Sequence, residues 1–346
     1  MTQDPPAPSS HPAPAPSSTQ GDPGRTSERR LNLFATVLTH AAPAGNYRGE
    51  AEDNCNPLQK IARGDAVHTV ISPEALRNAT RDLIARRLGP DSWGRAINRR
   101  RIPDAGQPAV EFHAYPDATR YADDFLFGYL VALVADAKEM RRLGRPASSA
   151  SVLRMNLAVS VEPYRYDATF HQAPHHAGES PWRNSGHSAL LQREVSWTAY
   201  QYPFALAGGD FTTAAQCAWG RHALGAIAEL TNVAGGHARA YFEMAPHSIV
   251  ARLTPHLVGG FDTYAFSADG SWRELERLNA SDLPPGEFWL GGALVRKLPA
   301  TTRKLLVQHG AHLEDNPQTL LAKLAEAFLP SAAPGRTSAD VASEPP

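Results

Sequence analysis

Apolar and polar residues follow recognisable periods along much of this chain. Over residues 31–40, Leu31, Leu33, Ala35 and Val37 alternate with Asn32, Phe34 and Thr36, which predicts a strand with most of its second face also covered. A polar loop is expected next, and then a helix over 72–88. Ser72 is its N-cap, Pro73 sits where a missing N–H costs nothing, and Glu74 complements the positive end of the helix dipole. Leu76, Ala79, Thr80 and Leu83 share its buried side, while Arg77 and Arg81 lie one turn apart on an adjacent face. After an Arg-rich irregular region, Phe125, Leu126, Tyr129, Leu130, Leu133 and Val134 recur at helical spacing within 121–143, which Gly144 and Pro146 end. Residues 152–162 give the clearest strand, with Leu153, Met155, Leu157, Val159 and Val161 on one face. Its other face, Arg154, Asn156, Ala158, Ser160 and Glu162, is polar enough to invite a ligand.

Residues 163–192 are rich in turn formers and histidine and predict a long excursion. A second β-like run spans 193–206, a helix of small residues 213–230, and a last strand 239–254, interrupted at Pro246. Without the insertions the order is strand, helix, strand, strand, helix, strand. That is the α+β, ferredoxin-like (RRM-like) pattern, an antiparallel sheet with both helices on one face. The pattern hosts many unrelated functions and licenses none by itself.

Composition adds the ends and the partners. Residues 1–28 and 331–346 are dominated by small and proline residues and are expected to be disordered, leaving one elaborated domain over 29–330. A net charge of −1 argues against a globally basic nucleic-acid binder, yet residues 76–101 hold eight arginines against Asp82 and Asp91. Only five of the 34 basic residues are lysines, so the clustering of arginine carries more weight than its abundance. Cys55 and Cys217 are too few for a disulfide framework or a zinc motif. With no signal peptide and no apolar run long enough for a bilayer, a soluble cytoplasmic protein is expected.

Enzymatic chemistry finds little footing. There is no nucleotide-binding glycine loop and no Gly-x-Ser-x-Gly elbow. His171, His175, His176 and His187 read as a solvated loop and Glu50, Glu52 and Asp53 as a polar loop, so no metal, cofactor or catalytic residue is assigned. RNA binding fares better, although the aromatic stripe that stacks bases on a sheet is absent. Loops and helix ends must then hold the backbone. The candidates are Asn46, Tyr47, Arg48, Gln59, Lys60 and Arg63, then Ser72, Arg77, Asn78 and Arg81 at the helix start. Arg154 and Asn156 on the polar strand face, and Gly235, Gly236 and His237 in a late turn, complete that set.

The segments Asn32-Leu-Phe-Ala-Thr-Val-Leu-Thr, Asn46-Tyr-Arg-Gly-Glu, Leu58-Gln-Lys-Ile, Ile71-Ser-Pro-Glu-Ala-Leu-Arg-Asn, Asp124-Phe-Leu-Phe-Gly and Asn156-Leu-Ala-Val-Ser-Val-Glu-Pro-Tyr occur in this order. Together they resemble the CRISPR-associated Cascade backbone proteins of the RAMP superfamily, in the DevR autoregulator branch of type I-B systems. The resemblance covers about residues 31–255. It implies a ferredoxin-like palm (29–88, 151–163 and 193–260), a helical finger insertion (89–150), a β-hairpin thumb (164–192) and a C-terminal extension (261–330). Phe170, Gln172 and Trp182 would lie on that thumb, Phe170 and Trp182 as its apolar wedge. The implied partners are a guide crRNA, the target DNA strand paired with it, copies of the same chain and other Cascade subunits, with no membrane. Two alternatives stay open: a metal-dependent ribonuclease using Asp53, and an autoregulatory nucleic-acid-binding protein.

Overall fold

The apolar run at 31–40 becomes the middle of a large sheet. The computed structural model describes residues 30–44, 46–47, 55–103, 108–172, 190–233 and 242–330. The elements that matter begin with β1 (Asn32–Leu38), the hairpin β2 (Lys60–Arg63) and β3 (Ala66–Ile71), and helix α1 (Pro73–Leu88). Next come the hairpin β4 (Arg99–Pro103) and β5 (Pro108–Phe112), then helices α2 (Ala122–Phe127) and α3 (Val134–Arg142). Strands β6 (Arg154–Met155), β7 (Ala158–Ser160), β8 (Ala168–Gln172), β9 (Leu190–Glu194) and β10 (Tyr200–Ala207) precede α4 (Ala214–Ala228). The chain closes with β11 (Ser248–Thr254), β12 (Phe288–Gly292), β13 (His312–Glu314) and α5 (Pro317–Phe328).

The main sheet runs β13-β12-β11-β1-β10-β7-β3-β2, with β6 also pairing to β10. All of these pairs are antiparallel except β12 with β13. β1 is held on both sides in full register, Asn32 opposite Ala207 and Thr254, Leu38 opposite Gln201 and Ser248. One face of β1, Leu33, Ala35 and Val37, joins residues of α1, α4 and α5 in the larger core. On the other face, Leu38 and Val250 join Phe266, Trp272, Phe288 and Leu294. Each fully buried side chain of this size contributes about 1.5–3 kcal/mol. The C-terminal segment therefore both extends the sheet and covers its second face. Thr36 donates to the Thr263 carbonyl at 2.9 Å, and Gln201 exchanges hydrogen bonds with the backbone of Phe266.

Several expectations need correction. The stretch after β1 is not one polar loop: β2 and β3 form a hairpin closed by Gly64-Asp65, with Arg63 paired to Ala66 and Gly64 at φ 62°. The Arg-rich region is not irregular either, because β4 and β5 pair from Arg99–Phe112 to Pro103–Pro108. The helix expected over 121–143 is two helices. Gly128, at φ 64°, ends α2, and a Cβ there would stand 2.3 Å from the Ser149 carbonyl. Leu130, Leu133 and Val134 consequently lie 72%, 69% and 70% exposed instead of facing a core. The strand expected over 152–162 breaks between β6 and β7, where the Asn156 side chain accepts the Leu157 amide at 2.8 Å. Its supposedly open polar face is internal at Ala158 and Ser160. The Ser160 hydroxyl accepts from the Thr69 N–H and donates to the Glu162 carbonyl.

The 163–192 excursion holds an ordered ladder, and the returning strand begins at Leu190, earlier than expected. β8 and β9 pair antiparallel, with Cys55–Asn56 alongside β9, in a small sheet separate from the main one. Of the last expected strand, Ser248–Thr254 is formed. No described helix is long and apolar enough to cross a membrane.

Candidate nucleic-acid interface

The helix start behaves as its sequence demands. Ser72 caps α1 by accepting the Ala75 N–H at 3.2 Å, so its hydroxyl serves the helix. One turn on, the Arg77 guanidinium donates to the Phe127 carbonyl and stands 5.8 Å from the Phe127 ring. Arg81 lies 4.8 Å from the same ring, donates to Asn78 Oδ1 at 3.3 Å and has its Nε 3.9 Å from Asp123. Its side chain is only 11% exposed, so Arg81 is not the free surface residue its position suggests.

A third arginine comes from β4, where Arg99 donates to the Gly128 carbonyl at 2.5 Å. The segment Asp124-Phe125-Leu126-Phe127-Gly128 is thus the platform on which Arg77, Arg81 and Arg99 are arranged. A buried polar knot fixes that platform. Asp123 accepts the N–H groups of Asn98 and Arg99 at 2.8 and 2.9 Å, and Asp124 accepts the Asn98 amide and the Asp117 N–H. Burial raises the Asp124 carboxyl above its ordinary value, aided by the charge of Asp123.

The three arginines share a cleft of about 600 Å³, lined also by Asn78, Phe127 and Tyr129, with Glu74 as its acidic member. Burial, then the neighbouring Arg99, bring Arg81 down to about 10, still charged at neutral pH. Arg77 is lowered for the same reason, partly offset by Glu74. The Nε atoms of Arg77 and Arg81 lack hydrogen-bond partners. Three crowded guanidiniums lining one cleft repel one another, which an anion in the cleft relieves.

The other candidate residues divide. Asn46 is buried and its amide donates to the Val70 carbonyl at 3.0 Å, which withdraws it from any surface grip. Gln59 donates to the Tyr47 carbonyl, and Tyr47 is half-buried with Arg193 6.0 Å from its ring. Lys60 pairs with Glu194 at 2.6 Å and stands over the Tyr164 ring, so its charge is already met. Arg63 is exposed beside Tyr264. Arg154 and Asn156 are exposed, and Arg154 lines a different cleft with Asp210 and Gln216. Phe170 is 66% exposed on β8. Arg48, Trp182, Gly235, Gly236, His237 and the Gln172 side chain lie outside the described residues, as do the side chains of Glu50, Glu52, Asp53, His171, His175, His176 and His187. Among the described residues no three His, Cys, Asp or Glu side chains gather to hold a metal ion. Sequence reasoning missed Arg99 and the Asn98–Asp123–Asp124 knot. The signal was the acidic pair Asp123-Asp124 leading an apolar stretch, which calls for a partner when buried.

A protein of Myxococcus xanthus (strain DK1622), described as CRISPR-associated protein Cas7/Cst2/DevR, is 31% identical over 285 residues, covering 80% of this chain and 91% of the relative. The chain belongs to the Cas7/Cst2/DevR family of CRISPR-associated proteins. No family profile matches the sequence. Among solved structures, a chain of a CRISPR RNA-guided surveillance complex in a pre-nicking state has TM-score 0.55 and 12% identity, covering 86% of this chain and 100% of that one. A second such complex gives TM-score 0.52 at 13% identity, covering 86% and 99%. Similarity at that identity bears on the fold: α+β, with a central, mostly antiparallel sheet and several helices, is the architecture this Cas7/Cst2/DevR member shares with them.

Proposed function

We propose that this chain is a crRNA-binding backbone subunit of a type I CRISPR interference complex, a non-catalytic scaffold whose copies line up along the guide with other Cascade subunits. The observation that carries the reading is the Arg77, Arg81 and Arg99 cleft on the Phe127 platform. Such a site grips phosphates without reading bases, which suits a subunit that must accept every guide and leave sequence to base pairing with the target DNA strand.

The palm of this reading is ferredoxin-like. Supporting it, β11, β1, β10 and β7 lie side by side and antiparallel, with α1 between the first two elements in sequence and α4 between the last two. Both helices pack into one core on one face of β1. The finger is residues 89–150, and the thumb is the β8–β9 ladder, whose exposed Phe170 suits a wedge against a stacked strand. Because the second face of β1 is covered by the 261–306 segment, RNA runs along helix ends and loops.

The test is filter binding of unrelated guide RNAs to the Arg77→Ala, Arg99→Ala double variant across a salt series. Affinity should fall by a similar factor for every guide, and the slope against log salt should flatten by about one for each phosphate no longer neutralised. A loss confined to one RNA sequence would count against the backbone grip. Selective retention of one DNA duplex would favour a regulator instead.

A further inference from the structure

Helix α1 and strand β4 border a second basic cleft. Side chains alternate along a strand, and the consecutive β4 residues Arg99 and Arg100 line different clefts. Arg99 joins Arg77 and Arg81, whereas Arg100 joins Asp82, Arg86 and Trp93 around a cleft of about 760 Å³. The helix divides in the same way, with Arg77, Asn78 and Arg81 in the first cleft and Asp82, Ala85 and Arg86 in the second. α1 and β4 therefore form a wall between two basic grooves.

Trp93 is the feature that gives the second groove its chemistry. It is 47% exposed although large and apolar. Its backbone is fixed: the Ser92 carbonyl accepts the N–H groups of Arg95, Ala96 and Ile97 at 3.2, 2.8 and 2.9 Å, and the Ser92 hydroxyl donates to the Ala85 carbonyl at the end of α1. An indole held open on a rigid loop offers a flat face at little entropic cost. Beside it, Arg86 is exposed in the last turn of α1 and has no carboxylate partner among the described residues. Arg100 pairs with Glu111 at 2.7 Å, but both side chains are well exposed, 49% and 39%, so the pair opens at small cost. An aromatic face flanked by cations is how proteins hold single-stranded nucleic acid without reading sequence. Asp82 in the lining disfavours a free phosphate ion and suits a site where a base, with its amino groups, is the main occupant.

We propose that this second cleft binds a single-stranded polynucleotide segment distinct from the guide, stacking one base on Trp93 and setting flanking phosphates on Arg86 and Arg100. The proposal rests on the guide-binding reading above, since it takes the Arg77, Arg81 and Arg99 cleft to be occupied by the guide. A DNA strand and a free RNA strand share the chemistry, and both serve as probes.

The experiment loads the full-length protein with guide RNA, then titrates in a short labelled DNA or RNA strand lacking complementarity to the guide. Trp93→Ala should weaken capture of the added strand about tenfold, in the range of one base–aromatic stack. Trp93→Phe should restore most of it, and guide loading and melting temperature should not change. A DNA-only effect assigns the groove to a DNA strand, and equal effects assign it to any single strand; both support the cleft. Unchanged capture in Trp93→Ala overturns the proposal. So does a parallel fall in guide loading, because one strand would then cross both clefts. If the unaltered protein loads no guide while capture still depends on Trp93, the cleft stands and the guide-binding reading falls.

Discussion

Arg77 and Arg81 look equivalent in the sequence, one helical turn apart, yet the fold treats them differently. Arg81 is 11% exposed between Phe127 and the buried Asp123, whereas Arg77 sits half-buried at the rim beside Glu74. Arg81→Ala should therefore cost about 1–3 kcal/mol of stability by removing the cation 3.9 Å from the buried Asp123 carboxylate and the packing on Phe127, and denaturant melts would register it as a lower midpoint. Arg77→Ala should leave that midpoint nearly unchanged and lower RNA affinity instead. Equal destabilisation by both variants would show that the asymmetry has no energetic meaning. Gly128 belongs to the same structure: it holds φ 64°, and an added Cβ would meet the Ser149 carbonyl at 2.3 Å. Gly128→Ala should cost on the order of 2–4 kcal/mol and, because the Gly128 carbonyl receives Arg99, should weaken RNA binding in protein that remains folded. The pairing of Arg77 with Arg81 was legible from helical spacing. Arg99 was not, because it reaches the cleft from β4, and no local period encodes the meeting of sequence-distant elements.

Elements whose signals are local were the readable ones. α1 carries a Ser72 cap and Pro73, α4 a reciprocal box between Thr213 and Gln216, and β1 an alternation dense enough to mark burial on both faces. Residues 121–143 misled because their apolar spacing suits a helix while Gly128 turns the chain out of it. The β2–β3 hairpin had a signal in Gly64-Asp65, but its strands hide buried polar residues, His68 and Thr69, whose partners Ser160 and Tyr200 lie far along the chain. The small β8–β9 sheet is fastened to this region by Glu194, which pairs with Lys60 and accepts the Leu58 N–H at 3.0 Å. Burial pushes the Glu194 carboxyl up, and Lys60 with the Leu58 N–H outweigh it, holding the group below its ordinary 4.5. A depressed carboxyl contributes stability that is complete above 4.5 and lost as pH falls through the lowered folded value. Hydrogen-exchange protection factors across β8 and β9, corrected for the intrinsic rate at each pH, should therefore fall on acidification below 4.5 in the native protein. Glu194→Gln should already exchange faster at neutral pH and respond less to acid; identical pH responses of the two proteins would remove this role for Glu194.

At the scale of the molecule, the sheet is enclosed. α1, α4 and α5 cover one face of β1, and the segment that supplies Phe266, Trp272 and Leu294 covers the other, so no open sheet face remains at its centre for bases to stack on. The six-element sequence pattern anticipated a mostly antiparallel α+β sheet, but β12, β13 and α5, which extend and cover the sheet, lie in a region whose role the pattern did not reveal. In the proposed reading, RNA contact then falls to the arginine clefts and to the β8–β9 ladder with its surroundings. There, Tyr166, Phe170 and Trp197 are 62%, 66% and 69% exposed, more apolar surface than an isolated ladder needs. If copies align on a guide, this surface meets the neighbouring copy. Replacing residues 168–192 by a short Gly-Ser turn, which keeps Glu194 and its pairing with Lys60, should leave the main sheet folded, because β8 and β9 pair with each other and with Cys55–Asn56 and contribute no strand to it. On a long guide RNA, the unaltered protein should give a ladder of complexes that grows with RNA length, without RNA turnover. The deletion variant should bind RNA through its arginine cleft yet lose the ordered ladder. Sizing on RNAs of graded length, run beside thermal melts, separates the outcomes. A lowered melting temperature with an intact ladder would mean that the β8–β9 segment with Phe170 serves the protein's own stability, and the thumb assignment would fall while the arginine grip remained.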